Sequence, residues 1–194
     1  CRNKLSPITN DGSTVRVNSG ASLTVGTGVT LQNAKTTGNG AGVYLAEGST
    51  MKISGALAFS NNVKTNASSL GSDPKNGDDA SYYNGNSAKQ DIYIAGYGNT
   101  DATSLHVTGN LSGEQGSIWV WASDVPHYKQ SKQFAVMDGG IYSGLDVFRN
   151  ARTDTDTENR LRGDPKYLYG VFYGNDSKLY WSGGADLAIT KTVT

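Results

Sequence analysis

Cysteine is nearly missing from this chain of 194 residues; Cys1 is the single one, which rules out a disulfide within the chain. Its place at the first residue leaves three readings: a fragment boundary, an exposed thiol that would link two copies in oxidising buffer, or the lipidated cysteine of a bacterial lipoprotein. An excess of charge of one sign is lacking as well. Lys plus Arg number 17 and Asp plus Glu number 17, so no long-range basic field awaits nucleic acid. No apolar run reaches the roughly 18 residues of a helical membrane span. No leader-like stretch opens the sequence, which is therefore expected to be a mature or excised fragment. Proline is scarce, at four, and histidine scarcer, at two. Glycine (25) and tyrosine (11) are plentiful instead, together with Ser, Thr and Asn. That mixture suits many short strands joined by tight turns, and the length suffices for one domain with a sizeable core.

The strongest signal is a repeat. "GSTVRVNSGASLTVGTGVTL", Gly12 to Leu31, returns 28 residues later as "GAGVYLAEGSTMKISGALAF", Gly40 to Phe59. Val15 becomes Val43, Val17 Leu45, Leu23 Met51, Val25 Ile53, Val29 Leu57 and Leu31 Phe59. Each unit holds three runs in which apolar and polar residues alternate, so one set of side chains points inward and the other outward. One unit cannot bury its inward face alone; stacked units bury it in a continuous column. The expected fold is therefore all-β: a single-stranded parallel β-helix with three strands per coil and coils of about 28 residues. Its hand is expected to be right, by the rule for parallel crossovers.

Less regular copies follow. "QDIYIAGYG" (Gln90 to Gly98) matches the first strand, and "SLHVTGNLSG" (Ser104 to Gly113) the second and third. "GSIWVWAS" opens a fourth coil at Gly116, 26 residues after Gln90. Residues 62–89 are polar and rich in turn formers, and read as a long loop inserted at one corner. Residues 1–123 thus form the coils. Residues 124–194, with the strand-like runs "KQFAVMDGG", "GLDVFRNA", "KYLYGVFYGN" and "KLYWSGG", read as an irregular last coil and a C-terminal β cap of the same domain. An open end of stacked strands needs covering. "ADLAITKTVT" reads as an exit strand into a following module.

The stretch "VNSGASLTVGTGVTLQNAKTTGNGAGVYLAEGSTMKISG" resembles the right-handed parallel β-helix repeats of bacterial cell-surface proteins. These are pectate-lyase-like in fold and common in adhesin-like proteins of Gram-positive bacteria. "SKQFAVMDGG", "LDVFRNA" and "LYWSGG" resemble the closing piece of such regions. The resemblance implies an extracellular place at the bacterial cell surface or cell wall, within a larger protein of several modules. It carries no activity, because this fold hosts lyases, hydrolases and adhesins alike. The coils here are longer and fewer than in lyases of this fold, and no catalytic signature is present to carry over.

Between the inward pairs of the first strand lie Arg16, Tyr44, Tyr93 and Trp119, with Trp121 following on the same face. Stacking sets such residues about 4.8 Å apart. An aromatic ladder of this kind is a platform for sugar rings or a protein partner, because it offers rigid apolar area with few rotamers to freeze. The competing and commoner outcome is a structural ladder, its rings stacked on one another or lying under the long loop. Tyr82 and Tyr83, at the tip of that loop, either cover the ladder or extend it. Asn33 and Asn61 recur at the turn after the third strand and read as a hydrogen-bonded amide ladder.

Polysaccharide-active enzymes on this fold need clustered carboxylates on one outer face. The outward columns, Thr24, Lys52 and His106 on the second strand and Thr30, Ala58 and Ser112 on the third, hold none. Asp91, Asp101, Glu114, Asp124 and Asp138 fall at strand ends and turns. His106 and His127 stand without paired acids and read as surface residues. Asp73, Asn76, Asp78 and Asp79, and Asp154, Asp156 and Glu158, make two acidic loops that are weak Ca²⁺ candidates. Neither has the spacing of an EF-hand. No other cofactor is expected. Asn66, Asn110 and Asn175 sit in glycosylation sequons, which matter only in a eukaryotic secretory host.

The functional expectation is a non-enzymatic adhesin or ligand-binding domain, taking a host or cell-surface glycan or protein on Tyr44, Tyr93, Trp119, Trp121, Tyr82 and Tyr83. The alternatives are a polysaccharide lyase or hydrolase fragment whose acids converge from the loops, and a structural spacer.

Overall fold

The computed structural model describes residues 13–65, 83–84, 87–95, 105–122, 131–150, 170–173 and 177–182. Among them strand dominates, and a 3-10 turn at Leu145–Val147 is the sole helical element. The described residues are all-β, and their principal sheets are built on parallel pairings.

The first unit contains β1 (Val15–Val17), β2 (Ser22–Val25), β3 (Thr30–Gln32) and β4 (Lys35–Thr36). The second contains β5 (Val43–Leu45), β6 (Thr50–Ala56), β7 (Ala58–Ser60) and β8 (Val63–Thr65). Each strand of the first pairs in parallel with its counterpart 28 residues on: Val15 with Val43, Leu23 with Met51, Leu31 with Phe59, Lys35 with Val63. The register is the one the repeat demands, because a slip of one residue would turn every inward side chain outward. Gly20 and Gly48, one repeat apart, take the same turn at positive φ (76° and 74°), which their missing Cβ permits.

In the first two units four strands replace the expected three. The fourth, "KT" in the first unit, is two residues long and buries Thr36 in place of an aliphatic residue, so it leaves no period-2 trace in the sequence. The same strand row redraws the inserted loop. Residues 62–89 begin with β8 and include β9 (Tyr83–Asn84) and β10 (Ser87–Lys89). β10 pairs antiparallel with both β8 and β9. Runs this short escape pattern reading; the ladder beside them holds them in place.

The remaining strands are β11 (Ile92–Ile94), β12 (Leu105–Ser112), β13 (Ile118–Ala122), β14 (Ser131–Met137), β15 (Phe148–Asn150), β16 (Gly170–Tyr173) and β17 (Lys178–Ser182). One sheet runs β1-β5-β11-β13-β15, parallel throughout. A second runs β2-β6-β12-β14 in parallel and then turns antiparallel through β17 and β16. The exit strand expected after the last of these lies outside the described residues.

Two expected alignments shift. Tyr93 stands beside Trp121, not Trp119, because the fourth row of the first sheet also follows the 28-residue offset. The difference is two residues, so both tryptophans keep the expected face. Ser112 stands beside Ala56 and not in the Thr30–Ala58 column. The register of β12 against β6 shifts between Val107 and Leu111, and this bulge carries β12 past the place where a third strand would begin. Among the described residues the third row therefore holds only β3 and β7.

Inside, Val43, Leu45, Met51, Ile53, Ile92, Leu105, Val107 and Val120 are fully buried. Each contributes about 1.5–3 kcal/mol of apolar burial. Phe134 and Phe148 meet edge to face, with centroids 5.5 Å apart. Val15, Leu23 and Leu31 of the first unit are only partly buried, since β1, β2 and β3 each end their sheet.

Candidate functional site

The aromatic ladder exists and belongs to the first sheet. Alternation on β1 sends Val15 and Val17 inward and Arg16 outward, and the same alternation repeats on β5, β11 and β13. The register aligns Arg16, Tyr44, Tyr93 and Trp121 across four neighbouring strands. The rings of Tyr44 and Tyr93 stack with centroids 5.3 Å apart and planes 26° from parallel. The Arg16 guanidinium lies 4.3 Å from the centre of the Tyr44 ring. Trp119 lies two residues before Trp121 on β13.

Two lysines from the fourth strand row complete the face. Lys64 on β8 places its ammonium 5.3 Å from the Trp121 ring and donates a hydrogen bond to Asn39 Oδ1 at 2.8 Å. Lys89 on β10 lies 5.3 Å from the Trp119 ring. Tyr44, Trp119 and Trp121 keep 9%, 6% and 6% of their surface, whereas Tyr93 is half-buried. The rings thus form a largely covered spine, with a cation layer outside it. Of the loop tyrosines, Tyr83 sits in β9 and Tyr82 lies outside the described residues.

Beneath the ladder lies a polar corner that the sequence reading passed over. Asp91 was expected as an ordinary strand-end acid, and it is buried. Its Oδ2 accepts the Trp119 N–H at 2.9 Å, and its Oδ1 accepts from Asn62 Nδ2 at 2.8 Å. Asn62 also donates to the Leu31 carbonyl at 2.9 Å and accepts the Ala34 N–H at 3.2 Å, tying three units together. Gln90, fully buried, accepts the Gly40 N–H. Burial pushes the Asp91 carboxyl up to about 6, against the opposing pull of the Trp119 N–H, the Asn62 amide and the Lys89 charge. The available signal was the pair "QD" directly before the apolar column of β11.

The amide ladder is present as expected. Asn61 Nδ2 donates to Asn33 Oδ1 at 3.2 Å, and both residues take positive φ, 54° and 60°. His106 departs from expectation. Its Nδ1 lies 2.8 Å from Asp138 Oδ2, so the acid partner exists, supplied by the turn after β14, 32 residues away in sequence. His127 lies outside the described residues, as do Asp101 and Asp124. The same is true of the Ca²⁺ candidates Asp73, Asn76, Asp78, Asp79, Asp154, Asp156 and Glu158. Among the described residues no three of His, Cys, Asp and Glu gather into a metal-holding group. Asn110 uses its Oδ1 to accept the Ser143 N–H at 3.0 Å.

No family model matches the chain, nor does any curated protein or solved structure.

Proposed function

We propose that this chain is a right-handed parallel β-helix module of an extracellular bacterial surface protein, adhesin-like and without catalysis. It holds a host or cell-surface glycan or protein ligand. One observation carries the reading: the in-register column Arg16, Tyr44, Tyr93 and Trp121 on four parallel strands. Such a column offers a long, stiff recognition edge whose spacing is set by the backbone. Tyr93 is the aromatic rung that retains accessible surface, and a sugar ring would stack there. The resemblance of the repeats to adhesin-like β-helices supports the extracellular placement.

A second reading, a structural spacer, is favoured by the burial of Tyr44, Trp119 and Trp121. A polysaccharide-active enzyme has less support, because the described acids are dispersed. Asp91 is buried at the corner of the first sheet, and Asp138 is paired with His106 beside the second. The deciding experiment is a glycan array with purified protein, with and without Ca²⁺, followed by pulldown of host proteins. The adhesin reading expects a specific hit that Tyr93→Ala weakens about tenfold or more, with an unchanged unfolding midpoint. Silence in both screens would leave the spacer.

A further inference from the structure

We infer that the ladder face takes an anionic glycan, one bearing carboxylate or sulfate groups; this rests on the binding reading above. The reason is what lies outermost. Arg16, Lys89 and Lys64 stand over Tyr44, Trp119 and Trp121, at 4.3, 5.3 and 5.3 Å. Arg16 is exposed and the two lysines are half-buried, while the three rings beneath them are buried. A ligand approaching this face therefore meets guanidinium and ammonium groups, with accessible aromatic surface confined to the half-buried Tyr93, whose ring also stacks on Tyr44.

The layout has a direction. In the strand order β1-β5-β11-β13 the Arg16 and Trp121 rows are three spacings apart, roughly 14 Å. A cation marks each end, Arg16 at one and Lys64 with Lys89 at the other, and the Tyr44–Tyr93 stack bridges them. An extended oligosaccharide with repeated acidic groups suits that pattern: its anions meet the two ends and a sugar face lies on Tyr93. Long cationic side chains ordinarily lose much rotamer freedom on binding. Rings that already hold them reduce that loss, which is preorganisation. Asp91, on which the Lys89 charge acts, lies buried with both oxygens engaged by Asn62 and the Trp119 N–H. It lowers the field at Lys89 and presents no carboxylate to the ligand.

The test uses the whole chain on an array of neutral, sialylated, uronate-containing and sulfated glycans, at about 50 mM and about 500 mM salt. A single-stranded DNA oligonucleotide serves as the polyanion without sugar acids. Lys89→Gln, Lys64→Gln, Lys64→Arg and Tyr93→Ala are compared, each with its unfolding midpoint. The inference expects acidic glycans to be preferred, affinity to fall at high salt, and either Lys→Gln change to weaken binding about tenfold. Lys64→Arg should restore it. The uronate and sulfate arms tell which anion is read. Neutral glycans bound equally by the Lys→Gln variants would overturn the inference and leave the adhesin reading standing. DNA bound as tightly as any glycan would also overturn it, as non-specific charge attraction. Failure to bind any glycan would overturn the inference and leave the adhesin reading to the host-protein pulldown, whose silence would remove that reading as well.

Discussion

At the scale of single residues, Asp91 couples stability to pH. Its carboxyl is raised from 3.8 to about 6 by burial, so the folded chain holds that proton more tightly than the unfolded one. The contribution is complete below about pH 3.8 and is lost as pH rises through about 6. The difference amounts to about 3 kcal/mol between the two limits. Urea unfolding at about pH 4 and about pH 7 checks it, with Asp91→Asn as reference, because other carboxyls titrate in the same window. The variant is expected to lack this part of the pH dependence. At about pH 7 the variant also gives up one of the two hydrogen bonds that the carboxylate accepts, because an amide has one acceptor oxygen. Asn61 gives a second prediction. It holds φ at 54° and donates to Asn33. Asn61→Ala loses the amide bond and places an alanine in the left-handed region, for a loss of about 2 kcal/mol. Asn61→Gly, which tolerates that backbone, should lose less, and equality of the two would show that the backbone conformation is not the cause.

At the scale of elements, the close approach of successive units at the start of β5 is set by Gly42. A Cβ there would lie 2.4 Å from the Asp91 carbonyl oxygen, a backbone atom that cannot swing aside. Gly42→Ala is expected to cost about 1–3 kcal/mol or to shift β11 against β5. Gly26→Ala, where a Cβ meets nothing within 4 Å, should be nearly silent. Thermal melts of the two compare a packed corner with an open one. The same scale explains which strands were legible. β1, β2 and β3 announce themselves because Val15, Leu23 and Leu31 recur one repeat later as Val43, Met51 and Phe59. β4 and β10 were not legible: "KT" and "SAK" carry no alternation, and their pairing comes from β8 between them. Asn62 was equally silent, because its partners Leu31, Ala34 and Asp91 come from other segments of the chain.

At the scale of the whole molecule, neighbours on one side only distinguish the first unit from those that follow. β5 and β11 lie between strands on both sides, and β1 ends its sheet. Amide exchange is therefore expected to be slowest at Val43–Leu45 and Ile92–Ile94 and much faster at Val15–Val17, in the manner of stacked repeats that open from an end. Uniform protection along the stack would contradict this and point to one all-or-none unit.

What the sequence by itself determined is the register of the first two units. Alternation of period two, repeated at one offset, admits a single parallel pairing that keeps the apolar columns on the inward face, and a slip by one would turn them outward. It also determined the outward row that contains Arg16, Tyr44 and Tyr93. Only the tertiary structure decided that the row is covered and cationic. Lys64 and Lys89 reach the tryptophans from another sheet, on strands held by pairing that no local pattern records. The burial of Asp91 and its bond to the Trp119 N–H, 28 residues away, are likewise properties of stacking, since neither exists until one unit lies on the next.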